Sequence, residues 1–143
     1  MKAKPFSIDQ TFRWVTWAHL TAVLNLFTVT GGVLAAFLMY LWLRRRSPLA
    51  AFHALQALFM QLALWVGGAL LALGLAVLAN RVLQVSGFGV ILWPRAFLAA
   101  LIPIGSIVYG AYGAWAARSD LEFKYYKVGN AAMRIIQAQE AKR

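Results

Sequence analysis

Two histidines are the residues of this chain that could do chemistry, because imidazole nitrogens bind haem iron and other metals. His19 and His53 are the only histidines among the 143 residues, and the chain has no cysteine. Histidines on two membrane helices could hold haem iron if they lay at similar depth and faced each other. Spacing alone does not establish that geometry. Haem binding is therefore the minor alternative, and we interpret both histidines as hydrogen-bonding groups at the membrane boundary.

The carboxylates lie in the polar ends of the chain, far from its apolar middle. They are Asp9, Asp120, Glu122 and Glu140. No acid–base pair can therefore form within the apolar runs, and these runs also lack the buried charge of an ion-coupled carrier. The sequence contains no nucleotide-binding glycine loop, metal-ligand cluster or nucleophile motif. We predict that the protein is not an enzyme and holds no metal ion or cofactor.

The composition indicates a membrane protein. Hydrophobic residues make up 62% of the chain and the mean hydropathy is +0.68, more apolar surface than a soluble domain of this size can hide. The net charge of +10 would suit nucleic acid, but the charges collect at the ends of the apolar runs and form no stripe interleaved with stacking aromatics. Lipid is therefore the expected partner, and nucleic acid is not.

The apolar runs predict an all-α integral membrane bundle. A polar segment at 1–12 precedes a membrane domain at 13–118, and a basic tail with an amphipathic helix occupies 119–143. Four transmembrane helices are expected, at about 13–28, 32–44, 48–80 and 90–118. The first two are short and are predicted to form a hairpin, because poor helix formers at 28–32 divide their common run. One long kinked helix over 13–44 is the alternative.

Basic residues predict the orientation. Arg44, Arg45 and Arg46 end the second run, and further basic residues follow the fourth. By the positive-inside rule, both sites and both termini are expected on the cytoplasmic side of a bacterial inner membrane. The three arginines could also contact anionic lipid.

Small residues recur at four-residue spacing on the last two helices. Those on the third helix are Gly68, Ala72 and Ala76, and those on the fourth are Ser106, Gly110 and Ala114. Small residues in register let membrane helices approach closely. We favour packing of the third helix on the fourth, and a seam for a dimer or another subunit is the alternative.

Polar residues mark one broad face of the third helix. His53, Gln56 and Gln61 lie on it, and unpaired amides are costly in hydrocarbon. We predict that this face packs inward, against Asn25 of the first helix. A polar groove that admits a polypeptide or lipid is the alternative.

The order of several short motifs resembles a bacterial family of small uncharacterised multi-pass membrane proteins. These motifs are Trp-Ala-His-Leu-Thr-Ala at 17–22, Gly-Gly at 31–32, Arg-Arg-Arg-Ser-Pro at 44–48, Phe-His-Ala-Leu-Gln-Ala-Leu at 52–58 and Phe-Lys-Tyr-Tyr-Lys at 123–127. That family is considered a distant relative of the chloroplast import subunit Tic-twenty. The resemblance implies four membrane helices and, more remotely, a part in polypeptide import.

The sequence therefore predicts a non-catalytic accessory, scaffold or assembly subunit of a larger membrane protein complex. A Tic-twenty-like component of a polypeptide translocation or insertion path, acting as a homo-oligomer, is the alternative. Homo-oligomerisation separates the two, because a single four-helix bundle is too narrow to enclose such a path.

Overall fold

The computed structural model describes residues 6–28, 30–81, 88–120 and 123–141, and for residues 88–100 it describes the backbone alone. The elements are α1 (Ile8–Leu20), a short 3-10 helix (Thr21–Leu26), α2 (Gly31–Leu43), α3 (Pro48–Arg81), α4 (Phe88–Ser119) and α5 (Val128–Glu140). These described residues contain no strand, which confirms the predicted all-α class.

Helix α1 begins at Ile8, earlier than the predicted start at 13. Its first turn is stabilised by a capping box, in which Ser7 Oγ accepts a hydrogen bond from Gln10 N at 3.3 Å and Gln10 Oε1 accepts one from Ser7 N at 3.1 Å. Each bond satisfies a backbone N–H that the helix leaves free. The described part of the predicted polar segment is therefore largely helical.

The first apolar run folds back on itself between Leu20 and Gly31. The chain tightens into the 3-10 helix at Thr21 and turns through hydrogen bonds from Thr28 N to Leu24 O and from Gly31 N to Thr28 O. The rings of Trp14 and Trp42, at the two ends of the run, lie 4.6 Å apart. The run is thus a hairpin, and we call Ile8–Leu43 the amino-terminal hairpin.

Helix α3 has two unlike halves. Its first half is buried, from Ala50 to Leu58 and again at Gln61, whereas residues 62–81 are largely exposed although they are apolar, with Leu70 64% exposed. Over the part of the chain that the structure describes, α3 is the one helix long and apolar enough to cross a membrane. This finding supports membrane association, and four crossings stay a prediction.

The tail returns to the first half of α3. Helix α5 buries Gly129, Ala132 and Ile136, and two of these belong to the same apolar cluster as Ala51 and Leu55 of α3. The tail is therefore docked on the bundle. We call the hairpin, residues 48–61 of α3, residues 102–119 of α4 and the tail the packed half of the molecule.

Candidate functional site

Buried polar side chains converge at the centre of the packed half. They are His19, Thr21, Asn25, His53, Gln56, Gln61 and Tyr125, and we call them the polar network. They come from the hairpin, from α3 and from the tail, which are far apart in the sequence. A buried polar group is costly unless it is hydrogen-bonded, so the partners of each decide what the network does.

Gln61 fastens the far end of the hairpin to α3. Its Oε1 accepts a hydrogen bond from Asn25 Nδ2 at 2.9 Å, and its Nε2 donates to Thr21 Oγ1 at 3.1 Å. Asn25 Oδ1 in turn accepts from Gly32 N at 2.9 Å, which satisfies one of the free N–H groups at the start of α2. The predicted inward contact between Gln61 and Asn25 is present.

Gln56 fastens the tail to α3. Its Oε1 accepts a hydrogen bond from Tyr125 N at 2.7 Å, and its Nε2 donates to Phe123 O at 3.3 Å. Both partners are main-chain atoms of the tail. Gly129, which begins the first turn of α5, lies so close that an added Cβ would stand 2.6 Å from Gln56 Oε1. The Gln56 amide thus provides the hydrogen bonds that water would otherwise make to these two main-chain groups of the tail.

The two histidines meet between these fastening points. His19 Nε2 lies 3.1 Å from His53 Nδ1, and Gln56 Nε2 lies 3.4 Å from the same nitrogen. Because an amide nitrogen can only donate, the approach of Gln56 Nε2 assigns the acceptor role to His53 Nδ1, and the matching neutral tautomer of His19 donates from Nε2–H. A haem macrocycle does not fit between two nitrogens that share one hydrogen, so the arrangement fits hydrogen bonding between helices rather than two axial ligands.

Tyr125 closes the network from the tail. Its hydroxyl donates to Tyr109 O of α4 at 2.6 Å and lies 3.4 Å from His19 Nδ1. Burial is the main reason that the pKa of the Tyr125 phenol is raised, and the neighbouring Tyr112 and Tyr109 raise it further. The phenol therefore stays protonated and keeps its donor for the Tyr109 carbonyl.

Sequence reasoning missed Tyr125 as a member of the site. The pair Tyr125–Tyr126 sits between lysines, a pattern typical of side chains at the lipid headgroups. Tyr126 fits that expectation, since it is 87% exposed, but Tyr125 is only 7% exposed. Which of two adjacent tyrosines turns inward depends on the docking of the tail, which leaves no periodic signal in so short a segment.

The small residues of α4 lie at two contacts, one with the hairpin and one with α3. An added Cβ at Gly110 would lie 2.6 Å from His19 O and 2.9 Å from Ala22 Cβ, so Gly110 receives the amino-terminal hairpin. Ser106 does face α3, across a cavity of about 10 Å³ that Met60, Gln61 and Leu64 also line. Helices α3 and α4 contact each other, and Gly110 lines this cavity as well while it receives the hairpin.

The remaining small residues are placed as follows. Ala114 is buried in α4. Gly68, Ala72 and Ala76 are half-buried, whereas most neighbouring residues of α3 are exposed. They therefore form a partly buried stripe along residues 62–81 of α3, which are otherwise largely exposed.

The three arginines have different surroundings at the open end of the hairpin. The Arg46 guanidinium lies 4.4 Å from the ring centroid of Trp42 and 5.6 Å from that of Phe6, and Trp14 contacts both rings. Phe6, Trp14, Trp42 and Arg46 form what we call the aromatic–arginine cluster. Arg44 is half-buried and Arg45 is exposed. Arg45 is thus the most exposed of the three.

The chemistry of the network is that of neutral hydrogen bonding. The carboxylates in the described ranges, Asp9, Asp120 and Glu140, are all exposed, and no group of possible metal ligands occurs among the described residues. The amides and imidazoles bond to one another and to the main chain. The arrangement holds three separate segments together.

Comparison with known proteins places the chain in a family. No curated protein and no solved structure matches it. A family model, MamF_MmsF, matches residues 10–132, which include the whole polar network and both halves of α3. It describes small membrane proteins associated with magnetosomes. The chain belongs to the magnetosome magnetite crystal formation protein family.

Proposed function

We propose that this protein is a non-catalytic accessory subunit of the magnetosome membrane, and that it supports magnetite crystal formation by organising membrane components. The proposal rests on a contrast between the two halves of α3. Its polar groups, Gln56 and Gln61, bond inside the protein, whereas its apolar residues 62–81 are largely exposed. The second half of α3 thus exposes an apolar surface to the surroundings of the protein, whereas the polar groups of the first half form hydrogen bonds within the protein.

The exposed apolar half of α3 and the positions of the basic residues also suggest how the chain crosses the membrane. We propose that α3 and α4 cross a bacterial inner membrane or a membrane derived from it, with both termini in the cytoplasm. The arginines between α2 and α3 and the basic residues after α4 support this orientation. The exposed residues Val66, Leu70 and Leu73 then face lipid or another membrane subunit.

A complementation experiment tests the role in crystal formation. The gene is removed from a magnetite-forming bacterium that carries it, and crystal size and number are measured by electron microscopy. We expect smaller or fewer crystals, restored by the intact gene and by a His53→Gln variant, because glutamine keeps a hydrogen-bonding group there. Unchanged crystals after removal of the gene would exclude the role, and loss of function in a folded His53→Gln variant would favour imidazole chemistry.

A pull-down tests the accessory role separately. The tagged full chain is purified in mild detergent, and the mass and composition of the eluted particle are measured. We expect other membrane proteins in fixed stoichiometry. A pure homo-oligomer would contradict this and would support the polypeptide translocation path that the Tic-twenty resemblance implies; a monomer without companions would contradict both.

A further inference from the structure

The amino-terminal hairpin is much shorter than the helix it packs on. Helix α2 has 13 residues and is therefore about 20 Å long. Its far end is fastened through Asn25 to Gln61, beyond which α3 continues to Arg81 for about 30 Å. Helix α3 is therefore about 50 Å long and spans the bilayer, about 40–45 Å with its headgroup regions, at a tilt. The hairpin therefore ends far short of the opposite end of α3.

The open end of the hairpin belongs at the membrane surface. The aromatic–arginine cluster lies there, with Arg46 over Trp42 and Phe6. Aromatic rings and arginine side chains with apolar stems favour the level of the lipid headgroups. From that level the arms of the hairpin extend about 20 Å inward, which is less than the roughly 30 Å of the hydrocarbon core.

The far end of the hairpin suits hydrocarbon. Its exposed side chains include Phe27, which is 78% exposed, and Leu26. Backbone groups of the turn are paired within the protein, through Thr28 N to Leu24 O and Gly32 N to Asn25 Oδ1. Irregular backbone at membrane depth needs such internal partners, so this turn can lie in lipid.

The two halves of the molecule therefore occupy unequal areas. The packed half contains α1, α2, α5 and the parts of α3 and α4 that pack on them, whereas among the described elements only α3 and α4 extend beyond it. A helix is about 10 Å across, so the hairpin adds about two helix cross-sections of roughly 80 Å² each to one side only.

We infer that the protein is a wedge that binds curved membrane. The amino-terminal hairpin enters the leaflet on the side of Arg44, Arg45 and Arg46 and returns without crossing, so it widens the protein in that leaflet alone. A convex leaflet has more room at its surface and accommodates this extra area. The ligand is a lipid bilayer whose convex face lies on the side of the arginines. The inference rests on the membrane placement proposed above.

Cysteine labelling tests the depth of the hairpin, since the natural chain has no cysteine. Phe27→Cys, Ile8→Cys and Leu70→Cys variants of the full chain are reconstituted and treated with a membrane-impermeant thiol reagent on each side. We expect reaction at position 8 from the arginine side, and none at 27 or 70. Reaction at 27 from the opposite side would overturn the wedge. Reaction at 70 from either side would contradict the membrane placement itself.

Curvature sorting tests the wedge directly. The labelled protein is reconstituted in giant vesicles from which narrow tubes are pulled outward, and its density per lipid is compared between tube and vesicle. With the arginine side outward, we expect about threefold enrichment on the tube, because apolar insertion into one leaflet is sensitive to curvature. With the arginine side inward, we expect depletion. Equal density in both orientations overturns the inference even if labelling confirms the membrane placement.

A matched pair of variants assigns the effect to the far end of the hairpin. Phe27→Lys puts a charge into hydrocarbon, whereas Ile8→Lys makes the same change at the open end, where Ile8 is 74% exposed. We expect Phe27→Lys to lose most of the enrichment and Ile8→Lys to keep it. Full enrichment in both variants would contradict the wedge.

Discussion

Gln56 binds the tail through main-chain atoms alone. It accepts from Tyr125 N and donates to Phe123 O, so the bond pair does not depend on which side chains stand at positions 123 and 125. Glutamine is suited to this because its amide offers a donor and an acceptor side by side, as a peptide group does. No other side-chain amide in the described residues makes such a double contact with the tail.

Replacing Gln56 should therefore free the tail. We expect Gln56→Leu to lower the free energy of unfolding by about 1–3 kcal/mol, because two buried backbone groups lose their partner. Trypsin should also cut faster after Lys124 and Lys127 in the reconstituted protein. Gln137→Leu is the matched control, since Gln137 is exposed on α5 and its loss should change neither measurement. Equal proteolysis of the two variants would show that Gln56 does not hold the tail.

Helix α4 makes its close contacts at glycines, where no side chain holds the neighbouring segment away. Gly110 receives His19 O and Ala22 of the hairpin, and Gly113 stands against His19 Nδ1 and the hydroxyl of Tyr125. One turn of α4 thus forms the surface that both the hairpin and the tail contact. In α3 the situation is reversed, because nothing lies within 4 Å of an added Cβ at Gly67 or Gly74.

The contrast between these glycines gives a prediction for the elements. We expect Gly110→Ala to destabilise the protein by about 1–3 kcal/mol, because the new methyl group overpacks the contact with the hairpin. Gly74→Ala should instead stabilise by about 0.5–1 kcal/mol, since alanine is the better helix former and meets open space. Thermal unfolding in detergent, followed by circular dichroism, measures both. Similar shifts for the two variants would contradict the close approach of the hairpin to α4.

At the scale of the whole molecule, most of the basic residues are separated from the apolar second half of α3. The basic residues between α2 and α3 and in the tail belong to the packed half, and the largely exposed apolar residues of α3 lie beyond it. We expect this separation to orient the protein in a membrane, with the positive surface beside the lipid headgroups.

Arg45 tests that positive surface, because its neighbour Arg46 also stacks on Trp42 and would change packing when removed. We expect Arg45→Ala to reduce the preference of the reconstituted protein for anionic over zwitterionic lipid roughly fivefold, since a basic residue at this level gains about 1 kcal/mol. Arg45→Lys should keep the preference. Lipid that co-purifies with each variant can be measured by mass spectrometry. An unchanged preference in Arg45→Ala would show that this arginine does not contact lipid.

The sequence by itself determined the all-α class, the membrane association and the inward face of α3. These follow from hydrophobic runs and from the cost of unpaired amides in lipid, and both are properties of the local sequence. It also indicated the turn near Gly31 and Gly32, since poor helix formers interrupt the run there. A contact between Asn25 and the polar face that carries Gln61 could also be predicted, because two amides on neighbouring membrane helices need hydrogen-bond partners.

Only the tertiary structure decided how the separate segments meet. The bond between His19 and His53, the inward turn of Tyr125 and the hold of Gln56 on the tail join residues 34 to 106 positions apart. The contact of Gly110 with the hairpin is equally non-local. Such contacts depend on the relative placement of whole helices, and small or polar residues at a given spacing suit several partners equally well until that placement selects one.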